Sequence, residues 1–157
     1  MSDPVVNSLS HDVYVGRQPI FNNALDVYGY ELLFRSGHMA QANVIDGNHA
    51  TSTVIINTFL EIGLEHITNN LPTFINLTRD FLIGDIPLPL HPENIVLEIL
   101  EDVVVDDKLL AAVKDLAEQG FTIALDDFVL DEKNSALLPF ADIIKIDLMA
   151  LDTETLK

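Results

Sequence analysis

Apolar runs rich in Val, Ile and Leu alternate along the chain with segments of helical periodicity. The runs predict six strands, in VYVGRQPIF, VYGYELLFRS, LPTFINLT, NIVLEIL, FTIALDDF and ADIIKID. Continuous apolar runs separated by helix-length segments are typical of parallel strands that are covered on both faces. The turn between the first two strands is too short for a parallel return, so we expect these two to form an antiparallel hairpin.

Helices are predicted between the later strands. The clearest is VDDKLLAAVKDLAEQG, which has apolar residues at helical spacing, Asp106 near its start and Gly120 at its end. A longer segment, ATSTVIINTFLEIGLEHIT, also has helical spacing, although its Thr, Val and Ile content weakens the helix propensity. RDFLIGD predicts a short helix, and NSALLPF predicts a short helix or a turn.

Polar side chains stand at or just beyond the C-terminal ends of the predicted strands. They are Glu31, Asn76, Glu98, Asp126, Asp127 and Lys145. Ligands of α/β folds bind at this end of the strands, and buried carboxylates without partners are costly. Oxygen donors gathered there from distant parts of the sequence favour a divalent cation. The pattern therefore predicts a metal-dependent active site at the mouth of a β/α barrel.

Several of these residues also have a purely structural interpretation. Glu31 could pair with Arg35, and Asn76 or Asp127 could cap the segment that follows it. Lys145 follows two isoleucines on a predicted buried strand, so its ammonium needs an anion, which is either a carboxylate of the cluster or a bound phosphate.

The composition excludes several classes of protein. The 157 residues include 25 acidic and 8 basic side chains, which gives a net charge of −17. A protein that binds duplex nucleic acid needs a basic stripe, and the sequence has none. The chain has no Cys for a disulfide or thiolate site, no His pair at ligand spacing and no phosphate-binding glycine motif. No apolar stretch has the length of a membrane span, and residues 1–11 predict a polar leader without signal-peptide character. We therefore expect a cytoplasmic protein without membrane association.

Six motifs, in order, resemble those of a known family. RQPIF, YELLFR, INLT, LEILE, ALDDF and IKID are similar to the successive motifs of EAL-type cyclic di-GMP phosphodiesterases, bacterial second-messenger hydrolases with a β/α-barrel fold. The first two motifs are most similar to the branch in which such a domain precedes an HDOD domain. For residues 12–157 the resemblance implies an incomplete TIM-type (β/α) barrel with an opening antiparallel hairpin and a mostly parallel sheet.

The resemblance also implies roles for individual residues. The ligands of a first metal ion would be Glu31, Asn76, Glu98 and Asp126. Asp127 would bind a second ion or activate water, and Lys145 would hold the attacking water or a phosphate oxygen. Arg35 would contact a phosphate, and Gln18 would contact cyclic di-GMP. An all-oxygen site implies Mg²⁺ or Mn²⁺.

The chain departs from the family pattern in three places. The DDFGTG loop reads DDFVLD, the LEITE motif reads LEILE, and the sequence ends before the last two strands of the family barrel. We therefore expect the open barrel edge to be covered by a second copy or another domain. We also expect hydrolysis by this chain alone to be weak or absent. The alternative function is a catalytically degenerate module that binds cyclic di-GMP or a protein partner without hydrolysis.

Overall fold

The computed structural model of the chain describes residues 13–36, 63–88, 90–128 and 134–147, with only the backbone described for 13–15 and 34–36. The strands are β1 (Val13–Phe21), β2 (Val27–Ser36), β3 (Thr73–Leu77), β4 (Ile95–Ile99), β5 (Thr122–Leu125) and β6 (Ile143–Ile144). The α-helices are α1 (Leu64–Thr68), α2 (Arg79–Leu82) and α3 (Asp107–Glu118), and a 3₁₀ helix spans Asn134–Phe140.

The described strands form one sheet in the order β1-β2-β3-β4-β5-β6. β1 and β2 pair antiparallel, and each later neighbour pairs parallel to the strand before it. Both the predicted hairpin and the predicted parallel sheet are confirmed. Because β2 to β6 all run in the same direction, each of these strands places its C-terminal end at the same edge of the sheet.

Side chains alternate between the two faces of the strands, and the helix-covered face holds the larger core. Phe81 of α2 and Leu109 and Val113 of α3 are buried in that core. They share it with the strand residues Ile75, Leu77, Leu97, Ile99, Ile123 and Leu125. The hydrophobic effect on this face fixes the register, because a shift by one residue would turn these side chains to the other face.

The opposite face of the sheet carries a smaller apolar layer. Phe74, Val96 and Ala124 are buried there, with Ile20 and Ile143 packed against them. Two residues further along β3, β4, β5 and β6, the side chains on this face become polar. The apolar layer therefore lies next to the predicted site, on the same face of the sheet.

Helix α3 begins and ends where the sequence predicts. The Asp106 carboxylate accepts a hydrogen bond from the backbone N–H of Leu109 at 2.9 Å, which satisfies one of the free donors of the first turn. After the helix, Gly120 has φ of +96°, a left-handed conformation that favours glycine.

Other predictions meet the described residues only in part. The long helix predicted over 50–68 is described only from its end, as α1 from Leu64. Residues 50–62 lie outside the described part of the chain, as do the leader 1–11 and residues 129–131. The last strand is shorter than predicted, because β6 contains only Ile143 and Ile144. The prediction that this strand is buried is wrong, since Ile144 is 45% exposed. Within the described residues, no helix is long and apolar enough to cross a membrane.

Candidate active site

The parallel register places the predicted site residues side by side. Asn76 on β3 is directly opposite Glu98 on β4, which is opposite Ala124 on β5. Asp126 and Lys145 come two residues after the paired Ala124 and Ile143, so they continue the same face beyond the ends of their strands. The ladder extends to them, because the N–H of Asp126 donates to the Ile99 carbonyl and that of Lys145 to the Leu125 carbonyl, both at 2.9 Å.

The ammonium of Lys145 lies at the centre of the site. Its Nζ is 2.6 Å from Asp126 Oδ1, 2.8 Å from Glu98 Oε1 and 3.1 Å from Glu31 Oε2. Burial opposes the charged form of this lysine, but the hydrogen bonds to Asp126 and Glu98 outweigh burial and raise the pKa of Lys145 above its ordinary value. The sequence predicted an anion for Lys145, and the structure supplies three carboxylates.

Glu98 is the deepest member of the site, with 0% of its surface exposed. Burial raises the pKa of Glu98 to about 7, and the hydrogen bond from Lys145 only partly opposes this. Its second oxygen, Oε2, has no hydrogen-bond partner in the described residues, and the same holds for Asn76 Oδ1. Buried oxygen acceptors without a donor are unusual, so both atoms require an explanation.

The structural alternative for Asn76, a cap of the following helix, is wrong, whereas the pairing of Glu31 with Arg35 stays a prediction. Thr78, and not Asn76, is the N-cap residue of α2. The amide Nδ2 of Asn76 instead donates to Glu31 Oε1 at 3.0 Å. Glu31 is therefore held by Asn76 and Lys145, while the side chain of Arg35 lies outside the description. Gln18 pairs with Glu31 through the backbone of β1 and has an exposed side chain.

Asp127 occupies the turn after β5, with φ of +45°. Partial desolvation raises the pKa of Asp127, and the neighbouring charges of Asp126, Glu101 and Asp147 raise it further. Sequence reasoning gave no role to Glu101. The signal that could have indicated its position is that Glu101 is the second acid of LEILE and follows β4 by two residues.

The donor chemistry of the site fits a hard cation. In the part of the chain that the structure describes, no three His, Cys, Asp or Glu side chains form a ready metal cluster. The ammonium of Lys145 lies among the carboxylates of Glu31, Glu98 and Asp126. Asn76 Oδ1 and Glu98 Oε2 are buried oxygens without a donor among the described residues, and a divalent cation prefers oxygen ligands.

The chain is similar in sequence to two curated proteins. Protein YuxH of Bacillus subtilis, which is uncharacterised, is 37% identical over 142 residues, covering 87% of this chain and 35% of that protein. The cyclic di-GMP phosphodiesterase CdgJ of Vibrio cholerae is 41% identical over 142 residues, covering 90% of this chain and 33% of that protein. No protein-family model matches the chain.

The chain is also similar in fold to a solved structure. The YkuI protein of Bacillus subtilis, which has an EAL domain, aligns with a TM-score of 0.65 and 23% identity, over 88% of this chain and 42% of that chain. The chain therefore has the fold of an EAL domain. Its sheet is a part of the TIM-type barrel of such domains, as the sequence predicts. The chain spans about a third of the length of the two curated relatives. The YkuI structure contains cyclic di-GMP, its substrate, and calcium.

Proposed function

We propose that this EAL-type chain supplies the metal-binding part of a phosphodiesterase that hydrolyses cyclic di-GMP. One observation carries the proposal: oxygen ligands from four strands meet at the carboxyl edge of the sheet, and two of their buried oxygens have no hydrogen-bond partner in the part of the chain that the structure describes. A similarity to CdgJ, a named cyclic di-GMP phosphodiesterase, supports this substrate.

The first metal ion would be held by Glu31, Asn76, Glu98 and Asp126, with Asp127 beside a second ion. An all-oxygen donor set favours Mg²⁺ or Mn²⁺. When bound, such cations polarise a phosphodiester and lower the pKa of water, so that hydroxide forms near neutral pH.

The remaining residues would act on the substrate. Lys145 has a side chain that is 29% exposed, so its ammonium can reach a water molecule or a phosphate oxygen at the edge of the sheet. Gln18 is exposed beside Glu31 and would contact the dinucleotide, and Arg35, four residues after Glu31, would contact a phosphate. We further propose that residues 12–157 belong to an EAL-like domain of the HDOD-linked branch, located in the cytoplasm.

The test is a hydrolysis assay with cyclic di-GMP and Mn²⁺, with the linear dinucleotide quantified by chromatography. Asp126→Asn should lower the rate by at least roughly a hundredfold, because it removes a charged ligand and a partner of Lys145. Asp85→Asn is a matched control, since Asp85 also pairs with a lysine, Lys108 at 3.2 Å, but on the exposed surface. Its rate should equal that of the unaltered chain.

The alternative function gives a different result in the same assay. A module without catalytic activity would bind cyclic di-GMP in calorimetry and yield no linear product. Turnover that is equal in the unaltered chain and in Asp126→Asn would contradict a role for the site, because the product would then come from another source.

A further inference from the structure

Among the described residues, three carboxylates of the site surround a single ammonium. The Nζ atom of Lys145 contacts the carboxylates of Glu31, Glu98 and Asp126, which come from β2, β4 and the residue after β5, at 2.6–3.1 Å. These are three of the four side chains that the proposed function assigns to the first metal ion. The ammonium therefore lies in the space between the oxygens that a metal ion would use.

We propose that Lys145 is the resident counter-ion of the ligand set, and that a divalent cation enters the site only as the Lys145 ammonium leaves it. This inference rests on the proposed metal site and adds a coupling between cation binding and the position of Lys145.

The contacts show why the two cations exclude each other. Of the four proposed ligands, only Asn76 and Glu98 have a buried oxygen without a partner among the described residues. The other two, Glu31 and Asp126, have oxygens that face the Lys145 ammonium. Like charges a few ångströms apart repel strongly at a partly buried site, so an ammonium that stayed in place would weaken the binding of a dication.

The side chain of Lys145 is suited to such a movement. It is 29% exposed, whereas Glu98 is fully buried, so the lysine is the partner with room to turn toward solvent. Its long aliphatic stem lets the charged end turn toward solvent without a change in the apolar layer below. Once released from the carboxylates, the ammonium is free to bind an anion such as a phosphate oxygen. Entry of the metal ion would thereby prepare Lys145 for the substrate.

The experiment compares Mn²⁺ affinity by isothermal titration calorimetry in the unaltered chain and in Lys145→Met, which keeps the length of the side chain and removes its charge. We expect Lys145→Met to bind Mn²⁺ roughly tenfold more tightly or better, because the competing cation is gone. Lys114→Met is the control, since Lys114 pairs with Glu118 on the exposed surface of α3 and its loss changes the net charge equally. Its Mn²⁺ affinity should not change.

A second measurement uses the unaltered chain, because Lys145→Met could fail to fold with three unbalanced carboxylates. The method is NMR of ¹⁵N-labelled protein, in which the Nζ signal of Lys145 is assigned by its loss in Lys145→Arg. Mg²⁺ replaces Mn²⁺ because it is diamagnetic. The Nζ chemical shift should change as Mg²⁺ is added and should stop changing when the site is saturated. An Nζ signal that stays unchanged at saturating Mg²⁺ would overturn the proposal.

The outcomes separate the two proposals. If the unaltered chain binds Mn²⁺ and a folded Lys145→Met binds it equally well or more weakly, the counter-ion role is overturned. The metal site would still hold. Absence of Mn²⁺ binding in both proteins overturns the metal site and the counter-ion role together.

Discussion

Glu98 is a carboxylate that the fold buries completely, and its surroundings act on its charge in opposite directions. Burial favours the neutral acid, while the ammonium of Lys145 favours the anion. Burial has the larger effect, so the pKa of Glu98 rises from 4.5 to about 7. A carboxyl group with a raised pKa destabilises the folded state wherever it must ionise, which makes Glu98 costly in the absence of a metal ion.

This cost predicts a pH dependence of stability in the metal-free protein. The folded state binds the Glu98 proton more tightly than the unfolded state, so the free energy of unfolding should fall as pH rises from 4.5 to about 7. The fall attributable to Glu98 is on the order of 3 kcal/mol or less. Urea denaturation at pH 5, 6 and 7 in the presence of a chelator measures it.

Glu98→Gln is the reference for that experiment, because it keeps the shape of the side chain and cannot ionise. As pH rises across this range, the unaltered chain should lose stability relative to Glu98→Gln. The free energy of unfolding of the variant minus that of the unaltered chain should therefore increase. A difference that is constant from pH 5 to pH 7 would show that Glu98 keeps one protonation state throughout.

Among the site residues, the sequence indicated which ones would converge but not how they would pair. Each stands at the C-terminal end of an apolar run, and parallel strands bring such ends together, so their convergence was predictable. The pairing was not, since Lys145 and Glu31 are 114 positions apart and their contact depends on the curvature of the sheet. The raised pKa of Glu98 follows from burial of the whole residue, which a sequence pattern cannot specify.

At the scale of elements, an ion pair joins the segments that follow β3 and β4. Arg79, the first residue of α2, donates to Asp106 Oδ2 at 2.6 Å and to the Val104 carbonyl at 2.5 Å. Asp106 is also the N-cap of α3. Two hydrogen bonds lower the pKa of Asp106. The larger effect comes from Arg79 and the smaller from the Leu109 N–H. The pair thus connects the starts of two helices that lie just beyond Asn76 and Glu98.

Asp106→Asn isolates the contribution of this ion pair, because asparagine caps a helix about as well as aspartate. A carboxyl group with a lowered pKa adds stability above its unfolded pKa of 3.8, and that stability is lost as pH falls through the folded value. The variant should therefore have a lower melting temperature than the unaltered chain above pH 4, with the gap closing at more acidic pH.

Salt provides the control for the charge effect. Both side chains are partly exposed, so 1 M NaCl should reduce the gap in melting temperature near pH 7. Asp106→Ala, which also loses the cap, should melt lower than Asp106→Asn at every pH. Equal melting temperatures for the unaltered chain and Asp106→Asn near pH 7 would show that the ion pair adds nothing to stability.

The predictability of an element depended on how much of its signal is local. Helix α3 was predicted closely because its apolar spacing, its capping aspartate and its terminal glycine all lie within the segment itself. Strand β6 was predicted too long, because IIKID has a strand-like composition but only Ile143 and Ile144 pair with β5. Pairing depends on the neighbouring strand, and that information is not local.

At the scale of the molecule, the chain has a strong negative net charge and a sheet with one polar edge. The net charge of −17 is spread over the sequence, but the three carboxylates around Lys145 are grouped by the parallel strand order alone. The fold class followed from the alternation of strands and helices, which covers the whole sequence and tolerates local errors.

The strand order also leaves β6 at one end of the sheet, and there we expect a second copy of the chain to bind. Within the described residues β6 pairs only with β5, and Ile144 and Ile146 beside that edge are 45% and 56% exposed. Unpaired strand edges carry free donors and acceptors, and exposed apolar side chains beside them favour association. Light scattering of the 157-residue chain at micromolar concentration should therefore give a dimer mass.

Ile144→Lys tests whether that association uses the β6 edge. A charge on the edge opposes strand pairing, so the variant should scatter as a monomer. Leu25→Lys is the matched control, because Leu25 is 81% exposed in the turn of the β1-β2 hairpin at the other end of the sheet, and its dimer should persist. A monomeric unaltered chain would show that this edge does not self-associate, and a dimer that survives Ile144→Lys would place the interface elsewhere.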